Sequence, residues 1–142
     1  MSPPGSLVVV GTGIGFARIT LEARAAIAGA DEVLYLMPDA VAEVMLTELN
    51  PRARSLAELY EEGVPRRTAY ARMVEAILEP VRAGRRVCAA FYGHPGVFVL
   101  PSHDAIRRAR AEGFAAEMLP GLSAEDALFA DLDVDPAASG MR

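Results

Sequence analysis

The sequence is poor in the residues that hold metals and disulfides. Of its 142 residues one is cysteine, Cys88, and two are histidine, His94 and His103. A lone thiol cannot close an internal disulfide, and one Cys with two His in no ligand spacing gives no expectation of a metal site. Cations are outnumbered as well. Fourteen Lys and Arg against nineteen Asp and Glu leave a net charge of −5, which excludes a broad grip on nucleic acid phosphates or an anionic membrane while leaving room for a local basic patch. No apolar run reaches the ~18 residues of a membrane span. Met1-Ser2-Pro3-Pro4-Gly5 lacks the charged-then-apolar layout of a secretory signal. The expected compartment is the cytoplasm, and the expected partner is small or neutral.

What is present suffices for a core. A hydrophobic share of 52% with 23% charged residues excludes a disordered chain, and the length fits one domain at ~150 residues each. Leu7-Val8-Val9-Val10, bounded by Gly5 and Gly11, has the β-branched run of a strand buried on both faces. A glycine loop and a helix over Thr20–Gly29 follow, with Thr20 as cap and Gly29 as stop. The pattern then predicts a strand over Asp31–Met37, a helix over Asp39–Leu49 ended by Asn50-Pro51, and a short strand near Arg54–Ala57. A long helix from Pro65 to the stop at Gly84 presents Tyr70, Met73, Val74, Ile77, Leu78 and Val81 on one side, with Pro80 expected to kink its last turn. A strand over Arg86–Phe91, a helix over Pro101–Glu112, a strand over Ala115–Leu119 and a helix over Ser123–Ala130 complete the series. In the last helix Ser123 caps and Asp126 stands third.

Strands alternating with helices predict an open, mostly parallel α/β sheet with helices on both faces, and ligands in such sheets sit at the carboxyl ends of the strands. Three loops hold that position: Gly11 to Gly15, Tyr92 to Gly96, and Pro120 to Ala124. The first is not a dinucleotide fingerprint, because Phe16 stands where the third glycine or alanine is needed. Nor is it a P-loop, since Arg18-Ile19-Thr20 supplies a cation without the glycine before it. Taken alone, the loop is equally a tight strand-to-helix turn.

In order along the chain, Gly11-Thr12-Gly13-Ile14-Gly15 with Thr20-Leu21, Tyr92-Gly93-His94-Pro95-Gly96-Val97-Phe98, and Leu119-Pro120-Gly121-Leu122-Ser123-Ala124 resemble the tetrapyrrole methylase superfamily. The match covers almost the whole chain in the order of the family's N-terminal half. Members that methylate tetrapyrroles mostly carry aspartate where His94 stands. The fuller wording, from Phe91 to Phe98, then Pro101-Ser102-His103, Ser123-Ala124-Glu125-Asp126 and Phe129-Ala130-Asp131-Leu132, is more similar to peptide backbone α-N-methyltransferases of the borosin type. The resemblance implies S-adenosylmethionine as cofactor and S-adenosylhomocysteine as product. It implies cofactor contacts at Gly11, Gly13, Tyr92, Gly93, His94, Gly96, Val97, Phe98, Ser123 and Ala124. It also implies a homodimer and a peptide substrate, fused to the enzyme in some relatives and separate in others. Full-length relatives complete the adenosine site with a second half, so residues 1–142 are expected to form the N-terminal half alone, with the C-terminal half absent. Weak cofactor binding by the isolated chain is the corresponding expectation.

Methylating a backbone amide requires a base for the N–H proton and a cation for the imidate, because the nitrogen lone pair is delocalised into the carbonyl. Arg66 and Tyr70, four residues apart, share a helix face, and Tyr60 precedes them in a loop. On the resemblance these form the catalytic set: Tyr70 as proton acceptor, Arg66 as stabiliser of oxyanion and phenolate, Tyr60 as a substrate-orienting partner. A phenol titrating near pH ~10 needs a neighbouring cation to act as a base, and Arg66 is the one available. On periodicity alone Tyr70 reads as a core aromatic and Arg66 as a solvated first-turn charge. His94 either meets the methionyl part of the cofactor or braces its turn, and Ser123 either caps its helix or also presents N–H groups to the cofactor carboxylate. His103 is expected to cap a helix or face solvent. Arg107-Arg108-Ala109-Arg110 is expected to be a solvated helix face, and Arg85-Arg86 the start of a strand. Two alternatives stay open: a methylase of a tetrapyrrole or other small acceptor, and a catalytically silent fragment or assembly module.

Overall fold

The computed structural model describes residues 4–12, 19–59, 63–92 and 100–121. Within them the order is β1 (Ser6–Gly11), α1 (Leu21–Gly29), β2 (Glu32–Leu36), α2 (Ala40–Leu49), β3 (Ala53–Ser55), a 3-10 turn over Ala57–Leu59, α3 (Arg66–Arg82), β4 (Arg86–Phe91), α4 (Leu100–Ala111) and β5 (Ala115–Leu119). The expected helix over Ser123–Ala130 lies outside the described residues. Each expected strand is present, the short one as Ala53–Ser55, and α3 carries Pro80 in its last turn and continues to Arg82.

Local chemistry sets the helix ends. Thr20 Oγ1 accepts from the Ala23 N–H at 3.1 Å and starts α1, while Asp39 Oδ1 accepts from the Ala42 N–H at 2.8 Å and starts α2. Both satisfy N–H groups that have no partner inside the helix. Helices α3 and α4 stop by one device. Gly84 and Gly113 each take a φ of 90°, and the chain turns back on the helix through Gly84 N–H to Val81 O at 3.0 Å with Arg85 N–H to Pro80 O at 3.1 Å, and through Gly113 N–H to Arg110 O at 3.0 Å with Phe114 N–H to Ala109 O at 2.9 Å. This 6→1 and 5→2 pair is the Schellman motif, which only glycine enters without a Cβ penalty. Each turn delivers the chain into the next strand.

The five strands are parallel, in the order β3-β2-β4-β1-β5. Side-chain alternation splits the core in two. Leu7, Val9, Leu34, Val87, Ala89 and Phe91 face α3 and α4, meeting Met73, Ile77, Leu78, Val81 and Ala105. Val10, Val33, Tyr35, Cys88 and Ala90 face α1 and α2, meeting Ala23, Ile27 and Leu46. The chain steps from β1 to β2 to β3 under α1 and α2, then back to β4 and β5 under α3 and α4, as crossovers of a single hand require.

Buried polar groups are paired. Asn50 closes the ends of two helices: its Nδ2 donates to the carbonyls of Ile27 at 2.9 Å and Ala30 at 3.0 Å, and its Oδ1 accepts from the Arg52 N–H at 2.9 Å. Glu32 is buried between Arg54 and Arg85, the latter at 2.9 Å. On the outer surface, Arg82 bridges Glu75 at 3.0 Å and Glu112 at 2.7 Å, and Arg108 joins Glu75. The arginine run on α4 lies on a solvated face, as expected, and is engaged there: Arg107 pairs with Asp104 at 2.7 Å and Arg110 donates to the Ala116 carbonyl at 2.9 Å. Arg85 and Arg86 do mark the start of β4, Arg86 pairing with Asp31 at 3.1 Å.

Gly5 is buried where the chain crosses the end of α3, and a Cβ there would lie 1.9 Å from the Val81 carbonyl oxygen and 3.1 Å from that of Arg85. Both neighbours are backbone and cannot swing aside. Gly5→Ala is expected to cost about 1–3 kcal/mol, read as a lower denaturant midpoint at unchanged slope; a midpoint equal to the parent's would show that the crossing relaxes freely.

Arginine contacts hold three carboxyls below their ordinary range: Asp31 through its side-chain hydrogen bond to Arg86, Glu75 through Arg82 and then Arg108, and Glu112 through Arg82. As pH falls, the unfolded chain binds protons at these groups first. Their contribution is therefore full above the unfolded values near pH ~4 and is lost as pH drops through the lower folded values. All three lie at the surface, Glu75 and Glu112 exposed and Asp31 partly so, so the effect is small and screened by salt. Replacing both Glu75 and Glu112 by Gln is expected to lower the denaturant midpoint slightly at neutral pH and to flatten its fall under acid; parallel pH profiles for parent and variant would contradict this.

Candidate active site

The register fixes one edge of the sheet as the place where loops converge. Gly11 and Leu36 both pair with Phe91, and Val10 pairs with Leu119, so β1, β2, β4 and β5 end close together. Strands β1 and β4 are neighbours, yet the chain leaves β1 toward α1 on one face and leaves β4 toward α4 on the other. A crevice opens where neighbouring connections diverge in this way.

Thr12 sits at that point. It is buried, its N–H donates to the Phe91 carbonyl at 2.9 Å, and its hydroxyl lies 3.4 Å from the same oxygen and 3.8 Å from the Met37 sulfur. One side chain thus ties together the carboxyl ends of β1, β2 and β4. Sequence reasoning read this loop for its glycines and passed over Thr12; a hydroxyl residue set between glycines at the end of an apolar strand was the available signal.

Of the residues expected at a cofactor, the structure brings Gly11 and Tyr92 to this crevice, Gly11 buried at the end of β1 and Tyr92 43% exposed just beyond β4. Gly13, Gly93, His94, Gly96, Val97, Phe98, Ser123 and Ala124 lie outside the described residues, as does Tyr60 of the expected catalytic set. Helix α3 runs back against the strands, so its first turns stand at the same sheet edge. Arg66 opens α3 and is exposed; Tyr70, one turn on, is half-buried against the core beneath α3 and α4. The turn that carries them has no acidic residue and no side-chain cap at Pro65. Arg66 and Arg67 instead stand at the positive end of the helix dipole, where each cation is unfavourable by roughly 0.3–1 kcal/mol. His103 is exposed on α4. Cys88 is buried in β4, where desolvation pushes its thiol up to about 12, which keeps it protonated and unreactive at neutral pH.

The chain is an α/β domain with a doubly wound parallel sheet whose switch point lies between β1 and β4, the position at which open sheets of this kind take ligands. The chain belongs to the tetrapyrrole (corrin/porphyrin) methylase family, whose model matches residues 6–141. It is 48% identical to a methyltransferase/ribosomally synthesized cyclic peptide dendrothelin A precursor from Dendrothele bispora, over 96% of this chain and 33% of that protein. It is also 48% identical to a methyltransferase/type I borosin cyclic peptide precursor from Mycena rosella, over 99% of this chain and 36% of that one. The chain thus spans about a third of the length of these relatives. Among solved structures, a precorrin-6Y methylase from Archaeoglobus fulgidus aligns with a TM-score of 0.65 at 22% identity, over 93% of this chain and 60% of the other. A uroporphyrin-III-C-methyltransferase from Thermus thermophilus aligns with a TM-score of 0.65 at 26% identity, over 89% of this chain and 52% of the other. The expected parallel α/β architecture is that of these structures.

Thr12→Val keeps the shape and removes the hydroxyl. Because the N–H bond to Phe91 remains, the variant is expected to lose about 1 kcal/mol or less in stability, while the amide of Tyr92, just past the tie, exchanges faster with solvent. Unchanged exchange at Tyr92 would show that the hydroxyl does not hold the strand ends together.

Proposed function

We propose that this chain is the N-terminal, cofactor-binding half of an S-adenosylmethionine-dependent methyltransferase that acts on backbone amide nitrogens of a peptide. The observation that supports the reading is the one-turn spacing of Arg66 and Tyr70 at the start of α3, in a chain matched by the methylase family model. The relatives named as methyltransferases joined to cyclic peptide precursors support the peptide as substrate. The described residues at the crevice suit such a cofactor. Gly11 offers bare backbone, half-buried Leu36, Met37 and Leu119 offer an apolar wall, and none of the strand-end residues Gly11, Thr12, Met37, Phe91, Tyr92, Pro120 and Gly121 bears a charge that would repel a sulfonium. His94, Ser123 and Ala124, with the other loop residues matched by the motifs, belong to the same proposed pocket.

When bound, S-adenosylmethionine supplies an electrophilic methyl group. The protein's part is to make the amide nitrogen a nucleophile. Arg66 holds the peptide carbonyl oxygen as it gains negative charge, Tyr60 orients the peptide, and Tyr70 oxygen takes the N–H proton. The N–H bond breaks to Tyr70, leaving the nitrogen lone pair to take the methyl group that bound S-adenosylmethionine would supply, with S-adenosylhomocysteine as the product. Arginine suits the oxyanion because its planar fork can reach a carbonyl oxygen and a phenolate together. Cytoplasmic residence and a homodimer belong to the same reading; no helix among the described residues is long and apolar enough to cross a membrane.

The test is mass spectrometry of a peptide mixture incubated with the protein and S-adenosylmethionine, beside calorimetry with S-adenosylhomocysteine. In a protein whose cofactor site is completed by the second half, Tyr70→Phe is expected to leave cofactor binding unchanged and to slow methyl transfer by about a hundredfold or more, and Arg66→Lys by about tenfold or more. Parent-like rates in both variants would return Tyr70 to the core and Arg66 to the surface. A protein that binds S-adenosylhomocysteine yet methylates no peptide would be a binding module or a methylase of another acceptor.

A further inference from the structure

The carboxyl end of β2 sends consecutive side chains to opposite faces of the sheet. Leu36 packs against the core beneath α3 and α4, and Met37 against the core beneath α1 and α2. On the α3 face the chain returns to this end of β2 after β3. Leu56 N–H donates to the Tyr35 carbonyl at 2.8 Å, the Leu56 side chain is buried in the same core, and the 3-10 turn over Ala57–Leu59 packs against α3. Leu36, Leu59 and Tyr70 are thus half-buried side chains on one face, each resting on the core beneath α3 and α4. Phe91, opposite Leu36 in the register, is buried in that core as well.

We infer that Leu36 and Leu59 are specificity-determining residues of the proposed methyl transfer: together they seat the side chain of the residue whose amide is methylated, and their bulk sets how large that side chain can be. The inference rests on the proposed function, because it takes the Tyr70 oxygen as the acceptor of the N–H proton. Proton transfer puts the amide nitrogen within about 2.6–3.2 Å of that oxygen. The Cβ of the same residue is only two bonds from the nitrogen, so its side chain lies against the groups that share a face with Tyr70. Leu36 and Leu59 come to that face from outside α3 and keep part of their surface open, whereas Leu56 and Phe91 are buried. Both leucines are branched aliphatic side chains without a polar atom, so they offer contact and volume and no hydrogen bond. A seat of this kind discriminates by size, one methylene too many or too few altering selectivity by about 10- to 200-fold.

The test uses the protein with its cofactor site completed by the second half, S-adenosylmethionine, and an equimolar pool of peptides identical except at one position, which holds alanine, valine, leucine, phenylalanine or tryptophan. Tandem mass spectrometry locates the methyl group and gives the relative kcat/KM for each residue at that position. Leu36→Ala and Leu59→Ala are each expected to raise the phenylalanine-to-alanine ratio by about tenfold or more, and Leu59→Phe to lower it. A packing defect slows every peptide alike and does not shift the ratio in opposite directions with opposite changes of volume. Met37→Ala, on the other face, is expected to leave the ratio at its parent value. A ratio indifferent to both leucines, or one that Met37→Ala shifts as far, overturns the inference and leaves the proposed function standing. A protein that methylates no peptide overturns the proposed function, and this inference with it.

Discussion

The parallel pairing of β1 with β4 is the constraint on which the rest of the structure depends. It runs flush from Ser6 opposite Arg86 to Gly11 opposite Phe91, and both strands are covered on both faces, so each must alternate between two separate cores. Leu7 and Val9 serve one core and Val10 the other, with Val87, Ala89 and Phe91 set against Cys88 and Ala90 in the same way. A slip of one residue would exchange the two sets and face each with helices shaped for the other. The same register brings Thr12 to the Phe91 carbonyl, so the strand pairing that builds the core also sets the geometry of the crevice. Gly5 shows how little room the arrangement leaves: backbone meets backbone there, and no side chain fits.

The sheet's two ends divide the work. Asp31 and Glu32 begin β2, Arg85 and Arg86 lead into β4, and their ion pairs, joined by Arg54 from β3, staple the amino-terminal edge. Every cation in the sequence is an arginine, and the guanidinium fork serves such pairs because it can engage two carboxylate oxygens or two acids at once. At the carboxyl edge the described strand ends are uncharged. Rigid, charge-closed geometry at one end leaves the other free to be shaped for a ligand, the usual economy of open parallel sheets.

Local features were legible in the sequence because local chemistry determines them. The β-branched run of β1, the Thr20 cap and the Gly84 stop depend on a handful of neighbouring residues and appear where the pattern puts them. Strand order was not legible: that β4 inserts between β2 and β1 follows from which face each crossover helix covers. The roles of Glu32 and Asn50 were hidden for a related reason, since their partners come from distant segments, Arg85 in one case and the Ile27 and Ala30 carbonyls in the other. The hold of Glu75 on Arg108 was hidden likewise, because Glu75 belongs to α3. At the candidate site, Arg66 and Tyr70 were singled out by the family resemblance, since their spacing alone reads as a core aromatic and a solvated charge. The half-burial of Tyr70 accommodates both packing and chemistry, its ring against the core and its residue at the edge where the strands end.

Helix α3 shows how the fold can carry a locally unfavourable arrangement of charge. Its hold on the sheet comes from Met73, Val74, Ile77, Leu78 and Val81, all buried in its central and final turns, and the Schellman turn at Gly84 fixes its end. The first turn contributes little to that anchorage. It can therefore present Arg66 and Arg67 at the positive pole, without an acidic neighbour or a cap, at a cost of roughly 0.3–1 kcal/mol per charge, small beside the ~1.5–3 kcal/mol that burying one large aliphatic side chain contributes. A helix selected for stability alone would carry Asp or Glu in that turn. Under the proposed function, cations at this end stand where negative charge would develop, on the amide that loses its proton.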